Sequence, residues 1–180
     1  RLLCTLLMLC TVGVANAAQE VLTLNFNNSN VDGTNNCHLL WQSRKLLGTV
    51  RIYKVVITNT TKSQAWTYDY STYESYPWYR MGQPEGASFD LAKGAIQIDN
   101  NSDAGNPWDL QPFIADQFTM VSGHNYRVDI TYTSTGTGDV NFNMGTWGTS
   151  MPIYGVHIEA NEVAKETVWL NVSLDRKSVV

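Results

Sequence analysis

The chain of 180 residues is 43% hydrophobic, 11% aromatic and only 16% charged, with 6 Trp and 9 Tyr. That length suits one globular domain with a proper core, and the shortage of charge, against a usual share of about a quarter, speaks against disorder and against a charge-laced helical bundle. With 12 basic against 16 acidic residues, a net charge of -4, and no basic cluster longer than Arg44-Lys45 before the last few positions, no nucleic-acid partner is expected, because phosphate binding needs concentrated positive charge.

Arg1 is followed by an apolar run from Leu2 to Val14 and then by Ala15-Asn16-Ala17, a small-x-small pattern suited to signal peptidase. Residues 1–17 therefore read as a signal peptide cleaved after Ala17, and the run is too short for a bilayer span, which takes roughly 20 residues. The expectation is a secreted, cell-surface or periplasmic protein with no membrane segment after cleavage. The missing initial Met leads us to expect a truncated start. Cys4 and Cys10 would leave with the signal, so Cys37 stands alone and no intrachain disulfide is expected.

From Ala18 onward the hydrophobic period is two. Val21 to Phe26, Thr49 to Thr58, Ala65 to Tyr70, Ala95 to Asp99, Tyr126 to Thr133, Val140 to Met144, Ile153 to Ile158 and Thr167 to Leu174 read as strands, separated by Gly, Asn, Asp, Ser and Pro clusters. Tyr126, Val128, Ile130 and Tyr132 point one way and Arg127, Asp129, Thr131 and Thr133 the other, the pattern of an antiparallel sheet with one wet face. Cys37 to Leu47 fits no strand pattern, and Asn161 to Lys165 is a short helix or a turn. The predicted fold class is all-β: an antiparallel β-sandwich, a jelly roll, filling residues 18–174 as one domain. Residues 175–180 read as a non-native tail. The domain is expected to be monomeric within a longer chain.

Three pieces carry a family resemblance: Gly94-Ala95-Ile96-Gln97-Ile98-Asp99-Asn100, then Asn106-Pro107-Trp108-Asp109-Leu110-Gln111, then Ser122-Gly123-His124-Asn125-Tyr126-Arg127-Val128. Their content and spacing resemble the central stretch of the carbohydrate-binding superfamily that groups carbohydrate-binding module families four, nine and twenty-two, in which a strand, a Trp-x-x-Gln strand and a Gly-x-x-Tyr turn follow one another. The resemblance runs from about Ala87 to Leu174. It implies a galactose-binding-like jelly roll that binds β-glucan, xylan or a related polysaccharide, usually joined to a secreted glycoside hydrolase. The family often opens with a strand whose Glu helps hold a structural calcium; here the piece is Leu24-Asn25-Phe26-Asn27, and Asn27 offers a carbonyl oxygen without charge. A structural calcium thus stays open, and no other cofactor is expected.

A pyranose presents an apolar face of C–H groups and a rim of hydroxyls, so its site needs flat aromatic rings with amide or carboxylate partners. Trp66, Tyr68 and Tyr70 share one strand face, either packed in the core or turned to a cleft. In the loop that follows, Trp78 and Tyr79 are the candidates, since clustered exposed rings need a reason. Gln111 is expected in the cleft. Trp108 stays open: strand alternation sets it beside core-facing Leu110, whereas the resemblance sets it in the cleft. Trp147, flanked by glycines, is expected as an exposed stacking platform with Tyr154 as a companion, and Asn141 and Asn143 as hydrogen-bonding groups.

Catalysis is not expected from this fragment; the resemblance implies a piece of a larger secreted glycoside hydrolase or glycan-binding protein, so a hydrolase domain in the full-length protein stays open. Glycoside hydrolysis uses two facing carboxylates, and no Glu-x-Asp-x-x-Glu strand occurs; Glu159, Glu162 and Glu166 read as a solvated acidic patch. His38, His124 and His157 show no metal-ligand pairing, and neither a Gly-x-Ser-x-Gly elbow nor a phosphate loop is present. The expected function is non-catalytic polysaccharide binding that targets an attached glycoside hydrolase; the alternative is a structural or adhesive extracellular β-sandwich that binds no glycan.

Overall fold

A computed structural model describes residues 18–80, 82–150 and 153–162. The signal peptide, the strand expected over Thr167 to Leu174, Glu166 and the tail 175–180 lie outside the described residues. Among the described residues eleven strands run in chain order: β1 (Glu20–Asn27), β2 (Gly33–Gln42), β3 (Gly48–Asn59), β4 (Gln64–Asp69), β5 (Ala87–Ala92), β6 (Ala95–Asn100), β7 (Phe113–Met120), β8 (Asn125–Ser134), β9 (Gly138–Thr146), β10 (Thr149–Ser150) and β11 (Tyr154–Ile158). They form two antiparallel sheets. The first has the order β1-β8-β3-β6-β5, with β4 also on β3; the second has the order β10-β9-β2-β7, with β11 also on β9.

The sheets face one another as a β-sandwich around a single apolar cluster. Leu24, Val50, Ile52, Val55, Ile57, Val128 and Ile130 come from the first sheet, and Leu39, Trp41, Ile114, Phe118, Val140 and Phe142 from the second. Trp41 bridges them, with its ring 5.2 Å from Phe142 and 6.3 Å from Tyr132. Each large side chain buried this way contributes about 1.5–3 kcal/mol relative to exposure.

β3 shows how the sequence sets this packing. Val50 and Ile52 share one parity and Val55 and Ile57 the other, yet all four face the core. A register shift between Ile52 and Lys54 against β8 resolves the conflict: one extra residue resets the alternation. At the same point β3 changes neighbour, from β6 beside Gly48–Ile52 to β4 beside Lys54–Asn59.

Two expectations need correction. Cys37 to Leu47, which fits no strand pattern, contains most of β2, the strand between β9 and β7. From Cys37 to Gln42 every residue is buried, because the solvent side of β2 is covered as well; a strand covered on both faces loses its alternation. Nor is Trp108 to Gln111 a strand. Pro107–Asp109 forms a 3-10 turn, and β7 begins only at Phe113.

Candidate functional site

The solvent face of the second sheet is built in cross-strand rows, since residues directly opposite in register point to the same side. Gly155 of β11, Asn141 of β9 and Gln42 of β2 form one row, and Gln42 Nε2 extends it by donating to Gln111 Oε1 at 3.1 Å. Three amides thus cross the sheet side by side. Gln42 is only 4% exposed, and its Oε1 has no hydrogen-bond partner among the described residues, leaving an acceptor in this row unfilled. The next row is Asn143, Leu40 and Phe113, and the third is Gly145, His38 and Asp116. Asn143 Nδ2 reaches Ser150 Oγ at 3.4 Å.

Trp147 occupies a two-residue loop between β9 and β10, where Gly148 takes the left-handed corner at φ +81°. Thr146 Oγ1 closes the loop by donating to Thr149 O at 3.0 Å. The indole is 64% exposed, yet it is braced from below: its ring centroid is 4.6 Å from His38 and 5.9 Å from Phe113. A flat ring held open to solvent on the same sheet face as the amide row suits stacking on a sugar face. Burial pushes the His38 imidazole below the ordinary histidine range, against an opposing pull from the Asp116 charge.

The approach to this face is pinned by a buried cation. Arg44 donates from Nε to Ala104 O at 2.7 Å, from Nη1 to Asn100 Oδ1 at 3.0 Å and from Nη2 to Glu85 O at 2.9 Å. Asn100 Nδ2 in turn donates to the carbonyls of Arg44 and Leu46 at 3.0 and 2.9 Å. The segment through Asp109 and Gln111 is therefore tied to the end of β2, where Ser43 N donates to Leu110 O at 3.1 Å. Gln111 N donates to Gly82 O at 3.1 Å, and Gly82, at φ +62°, leaves no room for a Cβ against Gln111 Cγ. Trp108, on the 3-10 turn, is 47% exposed while Leu110 is fully buried; strand parity does not apply to it, because the backbone there is not extended.

Sequence reasoning set eight residues in one site, and the structure distributes them. Gln111, Asn141 and Asn143 share the solvent face of the second sheet, Trp147 stands over it, and Trp108 projects from the turn tied to β2. Tyr154 lies opposite Phe142, on the core side of the sheet, with its ring 5.2 Å from Phe26; though 42% exposed, it closes the rim of the sandwich away from the amide row. Trp78 belongs to the other side of β7, with Asp116 and Gln117, and among the described residues Tyr79 makes no ring contact with the amide face. Tyr79 is 72% exposed, and Trp78 is half-buried against Tyr68 and Tyr73. His38 and Gln42 were missed for the reason that hid β2; a Gln closing the apolar run Leu39-Leu40-Trp41 was the available signal.

Tyr68 and Tyr70 are core, and their hydroxyls donate to Asp116 O at 2.6 Å and Ile114 O at 2.5 Å; Tyr76 adds a third such bond to Phe113 O at 2.9 Å. Burial pushes all three phenols above the ordinary tyrosine range, so each stays a donor. Of the acidic patch, Glu162 pairs with Arg51 at 2.8 Å and Glu159 accepts from Thr137 Oγ1 at 3.2 Å. Asn27 Nδ2 donates to Asn125 Oδ1 at 2.6 Å, and among the described residues no three His, Cys, Asp or Glu side chains gather as a metal site. Among them, too, no helix is long and apolar enough to cross a membrane. In comparisons with known proteins the chain matches no family model, no curated sequence and no solved structure.

Proposed function

We propose that this domain binds a neutral polysaccharide of the β-glucan or xylan kind on the solvent face of its second sheet, without catalysis, and keeps an attached or neighbouring glycoside hydrolase near its substrate. The observation that carries this reading is that the amide row Asn141, Gln42 and Gln111 and the braced, exposed Trp147 lie on one solvent face of the second sheet, two rows apart. Amides both donate and accept, as hydroxyl-rich ligands require, and carry no charge that a neutral polymer would leave unpaired. A jelly-roll winding and the resemblance to carbohydrate-binding module families four, nine and twenty-two belong to the same reading. Support for the winding comes from the way β1, β2 and β3, and later β6, β7, β8 and β9, alternate between the sheets.

Affinity per site is expected to be modest, since much of a sugar's hydrogen bonding replaces bonds to water. Electrophoresis through gels carrying soluble xylan, β-glucan or mannan tests the proposal. The parent is expected to be retarded on at least one polymer, and Trp147→Ala and Asn141→Ala to weaken that retention about tenfold each, the loss of roughly 1.4 kcal/mol of contact. Unretarded migration on every polymer, with Trp147→Ala indistinguishable from the parent, would leave a structural or adhesive sandwich as the better reading.

A further inference from the structure

A cleft of about 260 Å³ opens on the far side of β7, between that edge strand and β4, lined by Trp66, Thr67, Tyr68, Tyr73, Trp78, Asp116 and Gln117. Its rings are inclined to one another rather than coplanar: Tyr68 and Trp78 meet at 77° with centroids 5.7 Å apart, and Tyr73 and Trp78 at 56° and 6.3 Å. They make walls, not the single platform that a pyranose stacks on. Asp116 stands among them. Its Oδ1 accepts from Gln117 N at 2.9 Å, and none of the ion pairs among the described residues includes it. His38, directly across from it on β2, is kept neutral by burial near pH 7 and does not offset the charge. At the rim, Gln117 holds φ at +61°, a left-handed conformation that a non-glycine residue adopts at a cost and that concentrates at functional sites.

We propose that this cleft is an aromatic box for an organic cation of the alkylammonium class. Aromatic faces carry negative partial charge, and an unpaired carboxylate beside several of them makes a site whose field favours a positive, weakly hydrated group. A neutral sugar neutralises neither feature, and an anion is repelled by both. The cleft lies across β7 from the amide row and meets the solvent face of the second sheet only at Asp116, opposite His38; the proposal does not depend on the polysaccharide reading.

Choline chloride, titrated against the intact chain at low ionic strength and followed by tryptophan fluorescence, is the test, run beside its neutral isostere 3,3-dimethylbutan-1-ol. Choline is expected to give a saturable change, with the isostere about tenfold weaker or more. Asp116→Asn and Tyr73→Ala, each checked for native near-ultraviolet dichroism, are expected to weaken choline at least fivefold, whereas Asn141→Ala leaves it unchanged. Equal affinity for the isostere, no saturable response to choline, an undiminished response in a folded Asp116→Asn, or displacement of choline by neutral oligosaccharides would each overturn the proposal. Failure of the gel assay on polysaccharides would leave it standing.

Discussion

His38 points to the solvent side of β2 yet is only 3% exposed, because the Trp147 ring lies over it. Its depressed pKa has a signed consequence for stability. In the unfolded chain the imidazole titrates near ~6.5, while burial makes the folded chain bind that proton only at lower pH. Between those two values the unfolded state holds more protons, so the contribution is fully present above ~6.5 and is lost as pH falls through the window beneath it. His157 has the opposite sign: its hydrogen bond to Asp139 Oδ1 at 2.7 Å raises its pKa, so its contribution is present below ~6.5 and lost as pH rises. That pair is exposed and screened by salt. The difference between parent and His38→Gln isolates the buried group. We expect urea midpoints that favour the parent least at pH 5 and increasingly toward pH 7, with Trp147→Ala flattening the trend by uncovering the ring. A parent-minus-variant difference independent of pH would contradict the burial argument.

An exposed edge strand invites pairing with another chain, and β7 is the edge of its sheet. The aromatic run Trp66 to Trp78 covers it, with the hydroxyls of Tyr76, Tyr70 and Tyr68 on the carbonyls of Phe113, Ile114 and Asp116. Tyr70→Phe keeps the ring and strands a buried carbonyl, so it should lower unfolding free energy by about 1–3 kcal/mol. Tyr79→Phe, on an exposed ring, should change it by less than about 0.5 kcal/mol; equal midpoints for the two variants in chemical denaturation would show that the hydroxyl bonds contribute little. These elements also mark what the sequence makes legible. β1, β8 and β9 each have one wet face, and their alternation can be read directly; that of β3 can be read on either side of its register shift. β2 is covered on both faces from Cys37 to Gln42, and the first three residues of β7, Phe113 to Ala115, are buried without a break, so neither stretch shows a period of two. The alternation of Trp66, Tyr68 and Tyr70 reveals a shared face but not that two of its hydroxyls cap a neighbouring strand, because the partner carbonyls lie more than forty residues away. Asn141 and Asn143 are legible as outward groups because Val140, Phe142 and Met144 are plainly core. Gln42, the middle of the amide row, is not, since its strand is hidden.

At the scale of the whole sandwich the two outer faces differ in kind. The first sheet turns out groups such as Arg127 and Asp129, an ion pair at 2.9 Å, and Arg51, which pairs with Glu162; the second turns out the amides and Trp147. The aromatic cleft lies beyond the edge of the second sheet, so the two proposed recognition surfaces, different in chemistry, flank β7. Asn141 on β9 and the cleft beyond β7 are separated by at least two strand spacings, about 10 Å, with no side chain common to both. Mutations at that separation usually add within about 0.5 kcal/mol. The double variant Asn141→Ala with Tyr73→Ala should therefore lose polysaccharide retention no more than Asn141→Ala alone and choline response no more than Tyr73→Ala alone. Trp147→Ala is the informative exception. Removing the ring uncovers His38, lets it gain a proton more readily, and places a positive charge opposite Asp116; choline affinity in this variant should fall below the parent's as pH is lowered from 7 to 5.5, while Asn141→Ala follows the parent throughout. Identical choline affinities for Trp147→Ala and the parent across that range would mean that the two surfaces do not communicate through His38.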